Sequence, residues 1–446
     1  MEIGCFHTRK RSTIKLLLIL LLSGLIPAIY STFRVFFLGS IPDPWAFSIA
    51  AQVAWLNIGY EVISEAMLIP LAYILGQVIL ADRVAFNERL NGAMVAVVAV
   101  YATITFGVIM FAPDLIQAMQ QGAELVDKTT SYIRLESIAI LISSLLELCF
   151  LVLVLRDERG RLYAFIALKS LLIIGFDSLF VSQLSYSLQL GVNGVAYTNI
   201  TVNTILCVIA LCWLYREGLL NPKLAFYSVS WMKEWMKIGV KSGLESFVRN
   251  TAFIVMILQL VNQVQQAGVF WLSNQFIWGW LLLPVMALGQ LIKRDAACSN
   301  DLSVEKVNVY FKLTGLVVLC WLLSVPLWDD FIAHIMGVSD HEQVTDLVLL
   351  MLGFYVVFAF NNIIDSYFYG IGRTDLMLYQ SLAVNTLFYG SAFVAYQLAW
   401  FEPTLEGVAF MFGVGITFDA IITMGLYRWL RANQSCESVT TKPVLG

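Results

Sequence analysis

"LLLILLLSGLIPAIYSTFRVFFLGS", residues 16–40, decides the fold class. The apolar run from Leu16 to Leu38 is long enough to cross a hydrocarbon core of ~30 Å, which takes about twenty helical residues. A basic stretch from His7 to Lys15 precedes it, the order found in secretory signals. The run is too long for that reading and no A-x-A cleavage site closes it, so it is read as a retained first membrane helix. Arg34 lies within it, where an arginine costs on the order of 2.5–3.5 kcal/mol unless it reaches the headgroups or a partner.

The rest of the chain is of the same kind. Its 446 residues are 59% hydrophobic and only 13% charged, with a mean hydropathy of +0.78. A soluble domain needs more charge to cover its surface, so the class is integral membrane protein. Seven cysteines are scattered without a CxxC pair, and the three histidines (His7, His334, His341) form no HExxH. Neither a disulfide framework nor a metalloenzyme is supported. No Walker A motif is present, which argues against direct ATP drive.

Twelve apolar segments have membrane-crossing length: 16–38, 46–79, 91–112, 133–155, 162–182, 192–215, 236–261, 269–292, 308–328, 345–369, 376–399 and 405–428. The second is too long for one straight crossing, and Pro70 and Gly76 suggest a bend near its end. Basic residues collect on alternate loops: Arg9, Lys10, Arg11 and Lys15, then Arg83 and Arg89, Arg156, Arg159 and Arg161, and Arg216, Lys223, Lys233, Lys237 and Lys241. Lys293, Arg294, Lys306 and Lys312 continue the series, followed by Arg373, Arg428, Arg431 and Lys442. The opposite loops are acidic (Asp43, Asp114, Glu124, Asp127, Asp329, Asp330, Asp340, Glu342, Glu402, Glu406), with Lys128 their sole cation apart from Arg134 where span 4 begins. Under the positive-inside rule both termini are cytoplasmic, in a multi-pass protein of the cell's inner (cytoplasmic) membrane.

The chain also repeats itself at roughly 215 residues, the length of a six-helix unit. "GQVI" at 76–79 returns as "GQLI" at 289–292, and "GR" at 160–161 returns at 372–373. "GVA" plus an aromatic at 194–197 returns at 407–410, and Arg34 has a counterpart in Arg249. Six spans per repeat leave the two halves in the same orientation, hence parallel repeats. The expected division is an N-terminal lobe over 1–215, a cytoplasmic linker over 216–237, a C-terminal lobe over 238–430 and a cytoplasmic tail over 431–446.

Three stretches carry a family resemblance: "GFDSLFVSQLSYSLQLGVNGVAYTNI" (175–200), "IGVKSGLESFVRNTAFIV" (238–255) and "NNIIDSYFYGIGRTD" (361–375). They resemble spans 5–6, 7 and 10 of MATE (multidrug and toxic compound extrusion) transporters, of the multidrug/oligosaccharidyl-lipid/polysaccharide exporter superfamily. The resemblance implies an all-α membrane protein whose two six-helix lobes form a V around a central cavity that opens alternately to either side. It further implies that intramembrane carboxylates bind protons or sodium while substrate leaves in exchange. Asp365 matches the carboxylate of span 10 and Asp177 that of span 5. Two positions depart from the family: Arg34 stands where span 1 usually has an Asp, and Arg249 where one branch has a Glu in span 7.

Charged groups at depth usually mark a pathway or a structural pair. Candidate coupling groups are Asp365, Glu245, Asp177, Glu61 and Glu65. Glu61 and Glu65 share a helix face, which suits proton binding because neighbouring negative charges repel; alternatively one or both pair with Arg34 or Lys169. Candidate substrate-binding groups are Arg34, Arg249, Lys169 and Asn361. Arg34 either faces the cavity, snorkels or pairs, and Arg249 faces the cavity or bridges to Glu245 one turn earlier. Lys169 and Asp177 lie eight residues apart, roughly on one face. Glu136, Glu147 and Asp419 are the remaining charges of the acid set inside spans, and Glu147 and Asp419 are read as structural.

The function expected is a secondary efflux antiporter for a small organic compound or drug. It would be proton-coupled, with two arginines biasing the cavity toward anionic substrates. The alternative is a flippase for an anionic lipid-linked precursor. A non-transporting sensor or enzyme is disfavoured by the absence of catalytic motifs and soluble domains. No cofactor is expected beyond a proton or sodium gradient. The partners expected are a small-molecule substrate and the lipid bilayer, not nucleic acid, with the chain acting as a monomer.

Overall fold

The computed structural model describes residues 2–79, 82–156, 158–221, 230–299 and 304–440. Every regular element among them is helical. In chain order α1 is Glu2–Gly39, α2 Ala46–Gly76 and α3 Arg83–Ala118. Helices α4, α5 and α6 are Val126–Leu155, Arg159–Phe180 and Asn193–Arg216. Helix α7 is Ser230–Gln263, α8 is the pair Ala267–Leu281 and Leu283–Ala296, and α9 is Glu305–Ile335. Helix α10 is His341–Gly370, and α11 comprises Thr374–Ala383, a π-helical turn at Val384–Tyr389 and Gly390–Gln397. Helix α12 is Leu405–Thr440.

Ten of these are long and apolar enough to cross a bilayer, and the two parts of α8 supply an eleventh crossing. Helix α11 runs without interruption from Thr374 to Gln397, long enough at ~1.5 Å per residue to make the twelfth. The architecture is therefore the all-α, twelve-span arrangement expected from the sequence. Of the expected linker, residues 222–229 lie outside the described residues, as do residues 441–446 of the tail.

Two irregularities fall where the sequence reading did not put them. Helix α2 continues through Pro70, and its ladder is interrupted at Gln52 instead. There the side-chain amides of Gln52 and Asn262 bond reciprocally, Nε2 to Oδ1 at 2.7 Å and Nδ2 to Oε1 at 3.1 Å. The Trp55 indole also donates to Gln52 Oε1. A buried amide satisfied this fully holds its backbone in place. Helix α8 bends by 53° between a π-helical turn at Ile277–Leu281 and Pro284, two recognised causes of kinks.

The chain forms two compact units. One comprises Met1–Ala28, Ser273–Ile332 and Asp340–Gly446; the other comprises Ile29–Leu272 and Ala333–Ser339. Helix α7 belongs to the latter, although the repeat places it in the second lobe. Its contact with α2 explains why. Pro70 has no N–H to offer the carbonyl of Ala66 one turn earlier. Gly239 packs directly on that carbonyl, leaving no room for a Cβ beside the oxygen, and a Cβ at Gly243 would meet Ala66 Cβ at 2.7 Å. The segment "GVKSG" thus acts as a small-xxx-small face that lets two membrane helices approach closely. Trp235 Nε1 completes the seam by donating to the Met67 carbonyl at 2.9 Å.

Candidate functional site

In the unit containing Ile29–Leu272, Arg34 does not stand alone. Its Nε donates to Asp177 Oδ2 at 2.8 Å and its Nη2 to Asp177 Oδ1 at 3.3 Å. The same Nη2 donates to Asn199 Oδ1 at 2.9 Å, and Asn199 Nδ2 donates to Glu136 Oε1 at 2.7 Å. Helices α1, α4, α5 and α6 are thereby joined by one guanidinium, one amide and two carboxylates. The Asp177 side chain is 1% exposed and that of Arg34 17%. Glu136 Oε2 is buried and has no hydrogen-bond partner among the described residues. Fork-to-carboxylate bonding of this kind is the strong form of ion pairing, and it offsets burial that neither charge would bear singly.

The unit containing Asp340–Gly446 builds a second cluster from different chemistry. Asn361 Nδ2 on α10 donates to Asp365 Oδ2 and to Asp419 Oδ2, both at 3.0 Å. Gln380 Nε2 on α11 donates to Asp419 Oδ1 at 2.6 Å, and Thr423 Oγ1 on α12 donates to Asp365 Oδ1 at 3.3 Å. Asn361, Gln380 and Thr423 are buried. Neither carboxylate forms an ion pair among the described residues; Lys293 lies only within electrostatic reach of Asp365. The amide oxygens Asn361 Oδ1 and Gln380 Oε1 are buried without partners among the described residues, as is Ser366 Oγ.

A third group lies across the α2–α7 seam. Arg249 Nη2 meets Glu65 Oε1 at 2.7 Å and Glu61 Oε1 at 4.0 Å. It is more exposed than the other two, with Glu61 50% and Arg249 36% exposed. The side chain of Glu245 lies outside the described residues.

The structure thus brings together Arg34 with Asp177, Glu61 and Glu65 with Arg249, and Asp365 with Asn361. It leaves Lys169 apart from Asp177, within electrostatic reach of Glu147 on α4. The sequence reading did not assign Glu136, Asn199, Asp419, Gln380 or Thr423 to a site. For Asp419 and Glu136 the signal was present, since both are acids inside apolar spans. The amides and the threonine gave none: their role comes from bonds spanning 39 to 165 residues of chain. Among the described residues no three His, Cys, Asp or Glu side chains converge as a metal centre would require.

No family model and no curated protein matches the sequence. Solved structures match the fold closely. A multidrug-resistance MATE family transporter of the MOP superfamily, in an inward-facing conformation, superposes with a TM-score of 0.73 at 18% identity, over 93% of this chain and 96% of that one. An outward-facing MATE family transporter gives 0.66 at 16% identity, over 97% of both chains. A MOP-superfamily transporter from Pyrococcus furiosus, whose binding pocket has a reversed polarity taken to suggest a different function, gives 0.65 at 18% identity over 96% of both. The fold is that of the MATE transporters.

Proposed function

We propose that this chain is a secondary transporter of a small organic compound, driven by cation exchange at the Asp365–Asn361–Asp419 cluster. One observation carries the reading. Two half-buried carboxylates share the Asn361 amide and have no paired cation among the described residues, and two such acids at membrane depth need a positive charge. A bound proton supplies it, and its release recharges the pair. An energy-coupling site must bind and lose a cation in this way, whereas a purely structural acid keeps a fixed counter-ion.

Proton is the first reading of the coupling ion, because a shared proton satisfies a carboxylate pair without further ligands. Sodium is the second, favoured by one arrangement that the sequence does not show. Asp365, Asp419, Asn361, Gln380 and Thr423 bring side-chain oxygens from three helices together, and hard cations take such oxygens.

Substrate charge is set by the arginines. Arg34 is bonded to Asp177 and is read as part of the scaffold. Arg249 is the more exposed, and a substrate carboxylate can take the place of Glu65 on its guanidinium. The preference for anionic substrates therefore rests on Arg249. A reversal of pocket polarity has also been inferred for one neighbour on this fold.

The test is transport by the purified chain in proteoliposomes, with pH and sodium gradients imposed separately across a panel of organic cations, organic anions and lipid-linked sugars. Uptake that follows the pH gradient and survives sodium removal supports proton coupling. Loss on sodium removal, with indifference to the pH gradient, selects the second reading. Movement of lipid-linked sugars alone replaces the exporter with a flippase.

A further inference from the structure

The ends of α4 and α6 and the start of α5 meet at one membrane boundary, the one that the charge pattern assigns to the cytoplasm. Arg156 follows the last turn of α4 and Arg161 lies in the first turn of α5. Both guanidinium groups lie over the ring of Trp213 on α6, at 5.9 Å and 5.2 Å from its centroid. Glu217 bridges them, its Oε2 at 3.2 Å from Arg156 Nη2 and its Oε1 at 3.6 Å from Arg161 Nη1. Glu217 is itself fixed by the end of α6. Gly218 takes a left-handed φ of +67°, Leu219 N bonds back to Leu214 O at 3.0 Å, and Arg83 Nη2 on α3 donates to the Glu217 carbonyl at 2.8 Å. This is a glycine-closed helix terminus, locked to a neighbouring helix.

Donors are in surplus there. A guanidinium offers five N–H groups and an indole one. Among the described residues, Arg156 spends a single nitrogen on Glu217, and Arg161 spends only Nη1, on Glu217 and Glu158. The Trp213 Nε1–H is buried and has no acceptor among the described residues. A buried N–H left unpaired is unfavourable, so what the site lacks is an acceptor. Helix α5 begins at Arg159, adding the positive end of its dipole to the same place. Tyr215 and Tyr163 are 73% and 50% exposed, as aromatics at the headgroup level are.

The structure assigns this junction as a binding site for the phosphodiester headgroup of an anionic phospholipid. The phosphate oxygens accept from the spare edges of Arg156 and Arg161 and from the Trp213 indole, while Glu217 holds the two guanidinium groups in place. Lipid is the source committed to, because the site opens at the boundary where lipid phosphates lie and basic junctions between membrane helices recognise such headgroups. The assignment does not depend on what the chain transports.

The experiment is a thermal-shift titration of the full purified chain in neutral detergent, with phosphatidylglycerol, phosphatidylcholine or inorganic phosphate added separately, and native mass spectrometry to count retained lipids. Phosphatidylglycerol raises the melting temperature and is retained, whereas phosphatidylcholine and inorganic phosphate at equal concentration do neither. Trp213→Phe keeps the ring and removes the N–H; Arg161→Lys keeps the charge and removes the fork. Each weakens phosphatidylglycerol binding, the pair together by roughly tenfold or more, about 1.4 kcal/mol. The assignment is overturned if phosphatidylcholine stabilises equally, if both variants bind as wild type does, or if inorganic phosphate alone reproduces the shift. Both changes are conservative; should Arg161→Lys fail to fold, Trp213→Phe carries the test.

Discussion

In the unit that holds Arg34, two acids from α4 and α5 are tied to one guanidinium, directly at Asp177 and through Asn199 at Glu136. In the unit that holds Asp365, two acids from α10 and α12 share one amide, that of Asn361. The difference is a full positive charge. A guanidinium cannot be deprotonated in a protein, so it supplies a permanent counter-charge. An amide lends only a dipole, and leaves its acids to take a charge from outside. A fixed pair stiffens a bundle; an unfilled one can bind and release.

The sharpest way to break this comparison is to neutralise one acid in each cluster. Asp365→Asn is expected to abolish gradient-driven uptake in proteoliposomes while leaving a monodisperse, normally inserted protein, because an amide cannot hold an exchangeable proton. Asp419→Asn should do the same. Full uptake by Asp365→Asn would remove the cluster from the coupling mechanism.

In the Arg34 cluster the order of effects reverses, and stability suffers first. Arg34→Ala strands Asp177 and Glu136 as buried charges, and breaking such a pair costs roughly 3–5 kcal/mol. The melting temperature of the single variant should therefore drop steeply. Arg34→Met with Asp177→Leu, which removes both partners, should recover much of the loss. A double variant no more stable than Arg34→Ala would show that the pair is not what the arginine stabilises.

The twelve crossings were legible in the sequence because each is a long apolar run bounded by charge. Arg34, Arg249, Asp177 and Asp365 were legible for the opposite reason: a charge stands out where the pattern excludes it. Their partners were not. Arg34 joins Asp177 across 143 residues and Asn199 across 165, and no local spacing encodes such a meeting. Glu65, 184 residues away, bonds to Arg249, while the side chain of Glu245, the partner that spacing suggests, lies outside the described residues. At Pro70 the carbonyl it frees is covered by Gly239, and the helix runs on to Gly76. The interruption at Gln52 gave no signal, because its side chain looks like any polar residue until Asn262 is beside it.

Arg249 lies between the two extremes, charged and paired but partly exposed. An exposed pair contributes about 1 kcal/mol or less, so Arg249→Ala should lower stability far less than Arg34→Ala does. Its larger effect is expected on selectivity: weaker binding of an acidic substrate in a direct binding assay, and a shift toward cations with Arg249→Glu. If wild type exports organic cations well and Arg249→Ala leaves that unchanged, the residue belongs with Arg34 as scaffold.

The smallest effect calibrates the rest. Asp43, in the loop after α1, accepts from Lys128 Nζ at 2.7 Å and from the Trp45 backbone N–H at 3.0 Å. Partial burial alone would push its carboxyl up, but these two bonds outweigh it and hold the carboxyl below the ordinary value of 3.8. A depressed carboxylate stabilises the fold above its unfolded value, and that contribution is lost as pH falls through the lower folded one. The loss should therefore appear only below pH ~4. Because Lys128 is 58% exposed, it should amount to about 0.2–1 kcal/mol and shrink with added salt. Lys128→Ala melted at pH 7 and pH 3 measures it: a difference from wild type at pH 7 that fades at pH 3 fits a solvated pair. If Lys128→Ala instead costs as much as Arg34→Ala, burial is not what separates the two ion pairs, and the contrast between fixed and exchangeable charge needs another basis.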